Sequence, residues 1–248
     1  MRPFGLVHFS ILVATAFAAV LLSILCRNRI VSTRAVRYTL ACSLIVQEII
    51  RYWYFGFRFP NDLPIHLCTL ITWMVVYACF TLSPLAVEFV YFTGIVGAGM
   101  AMVTPDLPKD VVTNWPSYPG IRYFMEHACI LIAIGVLVFG GIAPIRPGAV
   151  WRTNVQLVIY AALLGLFNWW NGTNYMFLCR KPVNPSLLDY MGPWPYYLLS
   201  SEILALFLFW LLWLPIRPQS PARATASVTT LTGGGAGSHT PEPIPPSQ

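Results

Sequence analysis

The stretch Tyr123–Ala143, YFMEHACILIAIGVLVFGGIA, decides the fold. Beyond Glu126 and His127 it carries no charged side chain, and it is as long as the roughly 20 apolar residues a helix needs to cross a bilayer core. Six more runs of the same kind lie around it. Phe4–Leu25, Ala35–Phe55, Pro64–Leu82 and Leu85–Val103 precede it, and Val150–Trp170 and Pro193–Ile216 follow. A closed barrel is the other structure that spans a membrane, but its strands are shorter and alternate apolar with polar residues, which these runs do not. The expected fold class is all-α, a polytopic membrane helix bundle with about seven transmembrane helices over residues 1–216.

Composition agrees. The 248 residues are 57% hydrophobic and only 10% charged, against about 25% charged in an ordinary soluble domain. Mean hydropathy is +0.65. This excludes a soluble globular enzyme and a disordered chain. From Arg217 onward the character changes, with Gly233-Gly234-Gly235, repeated prolines, many Ser and Thr, and no aromatics. Such a segment cannot bury a core, so residues 217–248 are expected to form a disordered polar tail.

The net charge of +6 does not indicate nucleic acid. The basic residues form no stripe and do not interleave with aromatics. In a membrane protein they set orientation. Arg27, Arg29, Arg34 and Arg37 crowd one short connection, which places that turn in the cytoplasm, with the N-terminus outside and the C-terminus inside. The run Phe4–Leu25 imitates a secretory signal, but it is too long for a typical apolar core and Leu25 is a poor residue before Cys26. It reads as the first span. The six cysteines form no CxxC pair, and most lie within apolar runs as small hydrophobes.

Ionisable residues within spans are costly and usually face a bundle interior or a wet cavity. In a seven-span arrangement Glu48 and Arg51, His66 and Cys68, Glu126 and His127, and Asn168, Asn171 and Asn174 all fall at one membrane face. Glu88 is the exception, at the opposite face, and Glu202 lies near mid-membrane. Taken singly, each is an interfacial anchor or an interhelical hydrogen bond. Together they put a thiol, two imidazoles and two carboxylates at one end of the bundle. Glu48 and Arg51 share a helix face and suit a pair, as do Tyr123 and His127. Pro64 suits a first helical position, which would put His66 and Cys68 in the first turn, where free N–H groups favour a thiolate.

Three chemistries fit this set. Cys68 activated by His127 or His66 would perform acyl transfer. His66, Cys68, Glu126 and His127 offer ligands for zinc, but no HExxH or paired-histidine pattern supports this, so no metal is assigned. Transport is the third, although the spans show no inverted repeat and no charge ladder. Gly94, Gly97 and Gly99 suit close helix packing.

Three passages carry a family resemblance. They are Leu63-Pro64-Ile65-His66-Leu67-Cys68, then Tyr123–His127, then Asn174-Tyr175-Met176 through Lys181-Pro182, Ser186-Leu187-Leu188-Asp189 and Gly192-Pro193-Trp194-Pro195. Over roughly residues 35–215 the chain resembles the YwaF-type bacterial integral membrane proteins, which belong with the transmembrane protein 164 family. The resemblance implies a multi-pass protein of the bacterial cytoplasmic membrane. It also implies a membrane-embedded acyltransferase that moves phospholipid acyl chains with a cysteine and a histidine. The family's cysteine falls on Cys68 and its histidine on His127. Cys129 is a rival but lacks the Leu-Pro-Ile-His lead. The expected catalytic pair is Cys68 and His127. His66, Glu126, Asn171 and Asn174 are expected in substrate binding, with Asn171 or Asn174 donating to an oxyanion. No cofactor is expected, and the partners are membrane lipids, an acyl-donor phospholipid and a lysolipid acceptor. The competing reading is a non-catalytic membrane protein or a transporter with a polar pocket at one face.

Overall fold

A computed structural model describes residues 5–105, 107, 108, 111, 113–182 and 186–216. Contacts divide the chain into Met1–Ile216 and Arg217–Gln248, so the expected disordered tail lies outside the described residues. Among the described residues seven long helices follow one another: α1 (Leu6–Arg27), α2 (Thr33–Phe55), α3 (Leu67–Thr81), α4 (Pro84–Val103), α5 (Tyr118–Phe139), α6 (Ala149–Asn171) and α7 (Tyr196–Trp213). Two short 3-10 turns, Tyr175–Phe177 and Leu187–Tyr190, lie between α6 and α7. No strand occurs among the described residues.

Five of the seven helices are long and apolar enough to cross a membrane alone: α1, α4, α5, α6 and α7. The other two fall short for different reasons. Helix α2 has the length but carries Arg34, Arg37, Glu48 and Arg51. Helix α3 has 15 residues, about 22 Å at 1.5 Å per residue, less than the hydrocarbon thickness of about 30 Å. Its start is later than the prolines suggested. Pro64 is not helical. Ile65 N–H bonds Leu63 O at 2.9 Å, and His66 is the extended N-cap, so the first turn holds Cys68 but not His66. Helix α5 instead begins earlier than expected, at Tyr118 with Pro119 in its first turn. That proline lacks an N–H that the first turn would leave unpaired anyway.

Helix α4 is the axis. Of its span 61% is buried, against 17% for α1 and 11% for α7. A π-helical turn at Val90–Gly94 is buried at every residue. Tyr91 donates to Leu212 O at 3.0 Å, and Phe92 meets Phe209 with ring centroids 5.5 Å apart, which ties α7 to the axis. A Cβ on Gly94 would stand 2.5 Å from Ile134 Cδ1 of α5. Gly94 thus permits the close approach that helices in lipid rely on. Gly97 is tight against Ile71 at 3.2 Å, whereas Gly99 has nothing within 4 Å.

Glu88, fully buried near the start of α4, explains its own exceptional position. Arg146 Nε lies 2.7 Å from its Oε1, and Arg152 Nε 2.9 Å from its Oε2. The two guanidiniums tie α4 to the α5–α6 connection and to the first turn of α6.

Candidate functional site

At the opposite end, four helix segments line an open cavity of about 460 Å³. The last turns of α2 contribute Arg51, and the first turn of α3 contributes Cys68 and Thr69. The end of α4 contributes Met100, Ala101 and Thr104, and the first half of α5 contributes Arg122, Tyr123, Glu126 and His127. The α4 and α5 walls are joined where Tyr123 donates to Ala101 O at 2.9 Å. Helix α1 is tied to the end of α4, where His8 is fully buried and its Nε2 lies 2.7 Å from Met102 O.

A chain of charges runs beside the cavity. Glu48, 2% exposed, accepts from Arg51 Nη2 at 3.0 Å and from Arg122 Nη2 at 2.5 Å. Arg122 Nη2 also lies 2.9 Å from Glu126 Oε2. Glu126 Oε1 accepts from Thr72 Oγ1 at 2.8 Å. Two guanidiniums balance two carboxylates, as buried charges require. The Glu48–Arg51 pair follows from the three-residue spacing. The bridge from α2 to α5 through Arg122, and the reach of Thr72 to Glu126, do not.

His127 is buried, and its ring is held by its own helix. Nδ1 lies 2.6 Å from Tyr123 O. A carbonyl oxygen only accepts, so Nδ1 carries the hydrogen and Nε2 keeps the lone pair of the neutral ring. Nε2 is buried and has no hydrogen-bond partner among the described residues. Tyr123 adds a ring contact at 4.4 Å between centroids. Because α5 starts at Tyr118, His127 lies about 14 Å along the helix, deeper than a position near the span's start would place it.

Cys68 is a free, exposed thiol on the cavity wall. The first ladder bond of α3 runs from Leu70 N–H to His66 O at 2.9 Å. The N–H groups of Leu67, Cys68 and Thr69 precede it and have no intrahelical acceptor. The His66 side chain does not cap them. All six cysteines are unpaired, so no disulfide joins Cys68 to Cys129. Cys129 sits instead 3.9 Å from Ser43 Oγ and from Gln47 Nε2.

The structure brings Cys68, Glu126 and His127 to one cavity. It brings His66 and Asn174 to another, a hollow of about 100 Å³ shared with Asn61, Thr173 and Tyr175. Asn171 lines neither. Its Nδ2 donates to Phe167 O at 3.0 Å within its own helix. Asn174 holds its own loop, donating to Arg180 O at 2.9 Å and accepting from the N–H groups of Cys179 and Arg180, each at 3.1 Å. Among the described residues no group of three His, Cys, Asp or Glu converges as a metal site would require.

Sequence reading missed the clamp behind Cys68. Gly172, with φ 66°, ends α6. Asn168 Oδ1 then accepts from Tyr175 N–H at 2.9 Å, and its Nδ2 donates to Tyr175 O at 2.9 Å. Thus fixed, the Tyr175 hydroxyl accepts from Leu63 N–H at 3.0 Å and donates to Pro60 O at 2.6 Å. Its ring meets that of His66 edge-on at 4.6 Å. Tyr160 donates to Ile65 O at 2.6 Å. The segment before α3 is therefore held at Pro60, Leu63 and Ile65, which sets where the helix and its cysteine begin. No match was found among curated proteins or among solved structures. A family model described as the TMEM164 family matches residues 3–213, and the chain, a multi-pass membrane protein by its apolar helices, belongs to that family.

Proposed function

We propose that the protein is a membrane-embedded acyltransferase that moves acyl chains between phospholipids through Cys68 and His127. One observation carries the reading. An exposed thiol lines the same cavity as a buried histidine whose Nδ1 is engaged and whose Nε2 is left without a partner. A nucleophile beside an oriented base is the arrangement covalent catalysis needs.

In the proposed reaction Nε2 of His127 takes the Cys68 proton as the sulfur attacks the ester carbonyl of a donor phospholipid. The carbonyl oxygen becomes an oxyanion. As it collapses, the ester C–O bond breaks, and the departing lysolipid oxygen takes the proton back from Nε2–H. The chain now holds a Cys68 thioester. An acceptor lysolipid hydroxyl then gives its proton to Nε2 and attacks the thioester. The sulfur leaves and is reprotonated by His127. The unladdered N–H groups of Cys68 and Thr69 are the nearest donors for the oxyanion, in the role expected of Asn171 or Asn174. Arg51 and Arg122 line the cavity as cations for a lipid phosphate. Glu126 holds Arg122 on the same wall. No cofactor enters. The family resemblance of the Leu63–Cys68 and Asn174–Pro195 passages supports the same reading, and supports a place in a bacterial cytoplasmic membrane.

The test is acyl exchange between a labelled phospholipid and a lysolipid in proteoliposomes. Wild-type protein is expected to exchange, while Cys68→Ala and His127→Ala lose at least about 100-fold, with Cys129→Ala unaffected. If wild type and both variants leave the lipids equally unchanged, the cavity belongs to a non-catalytic or transport protein.

A further inference from the structure

A second cavity, of about 430 Å³, lies at the other end of the bundle. This volume is within the roughly 300–1,000 Å³ of ligand pockets. One wall is a stripe on α1, where Ala16, Ala19, Val20 and Ser23 recur at helical spacing. The facing wall is α5 at Ile134 and Gly135, where the helix passes into a π-helical turn at Gly135–Phe139. Such turns often mark functional sites. Ser23 spends its hydroxyl on Ala19 O at 2.6 Å, so the furrow is apolar along its length. From Ala16 to Arg27 it extends about 16 Å, roughly half the hydrocarbon thickness.

The furrow ends on Arg27, in the last turn of α1, exposed and in no ion pair among the described residues. A second cation waits at the same end. Arg37, near the start of α2, is 7% exposed, and its Nε and Nη1 are buried without a hydrogen-bond partner among the described residues. Both α1 and α2 pack on the Gly135–Phe139 turn. Among the described residues these arginines have no counter-charge. Glu88 is the one acid described at this end, and Arg146 and Arg152 already occupy both its oxygens.

We propose that this furrow binds one phospholipid with an anionic phosphate headgroup. An acyl chain lies along the seam where α1 meets α5, the phosphate is on Arg27, and the charge of Arg37, unpaired among the described residues, adds to the attraction. An apolar furrow with a cation at its mouth matches an amphiphile of that charge. The site is remote from Cys68 and does not depend on acyl transfer.

The test uses the purified full-length protein in neutral detergent, titrated with dioleoylphosphatidylglycerol, dioleoylphosphatidylcholine or inorganic phosphate. Bound lipid is counted by native mass spectrometry and thermal unfolding is followed in parallel. Phosphatidylglycerol is expected to bind about tenfold more tightly than phosphatidylcholine, and phosphate alone to leave the melting temperature unchanged. Arg27→Gln, an exposed substitution, should weaken phosphatidylglycerol about fivefold and phosphatidylcholine not at all. Ala16→Phe should weaken both lipids by filling the furrow. Equal affinity for the two lipids overturns the proposal. So does a phosphatidylglycerol preference that stays at about tenfold in Arg27→Gln, a shift produced by phosphate alone, or undiminished binding in Ala16→Phe.

Discussion

A histidine acts as a base only when one ring nitrogen is occupied and the other is not. In His127 the Tyr123 carbonyl settles which is which. The cysteine has a longer chain of support. Nothing in α3 itself fixes where that helix starts. Tyr175, from 112 residues away on Leu63, holds the preceding segment through one hydroxyl. That places Tyr175 among the positioning residues. Tyr175→Phe should lower acyl exchange about tenfold through misplacement of Cys68. Maleimide labelling of Cys68 in the same vesicles should be unchanged or faster, since the thiol stays exposed. Exchange at the wild-type rate would show that the clamp does not matter for the reaction.

The helices divide into those lipid would accept alone and those the bundle must carry. Helices α2 and α3 are the second kind, and both contribute to the site. Helix α2 packs on α3 and α5, and α4 approaches α3 and α5 closely at Gly94 and Gly97, which predicts a contrast within one helix. Gly94→Val should cost about 1–3 kcal/mol of stability, read as a lower melting temperature in detergent. Gly99→Val, with open space around it, should be within about 0.5 kcal/mol of wild type. Equal effects would show that Gly94 does not set the α4–α5 distance. Much of this level is legible in the sequence, because apolar length and helical spacing are local properties. The runs, the Glu48–Arg51 pair and the shared face of Tyr123 and His127 follow from counting. What counting misses are contacts between distant segments and competition for hydrogen bonds. Arg122 looks like a loop cation, but α5 begins four residues before it and turns it inward to Glu48. Asn171 and Asn174 look like free amides beside the site, but nearby carbonyls claim them. Pro64 looks like a helix start, yet Tyr175 and Tyr160 hold its neighbours Leu63 and Ile65 outside the helix.

Across the whole molecule, the buried carboxylates among the described residues gather in two knots. The knot around Glu48 joins α2 to α5 and lies on the cavity. The knot around Glu88 joins α4 to α6 at the far end. Removing the Glu88 charge leaves Arg146 and Arg152 without a counter-ion, and removing that of Glu48 leaves Arg51 without one while Arg122 keeps Glu126, each at a cost of about 1–3 kcal/mol where the guanidiniums are part-exposed. Glu88→Gln should therefore lower the melting temperature while residual acyl exchange per folded protein stays at wild type. Glu48→Gln should lower both, because Arg51 and Arg122 line the cavity. An exchange defect in Glu88→Gln beyond its loss of folded protein would mean that the two ends are coupled. The shortness of α3 has an effect outside the protein. A helix of about 22 Å cannot reach both surfaces of a bilayer about 30 Å deep, and lipid adjusts to a short helix by thinning. The non-helical approach lies at the Cys68 end, so the missing length does too. A bilayer that thins at this end would form a dimple, bringing its glycerol esters and water down toward the level of the sulfur.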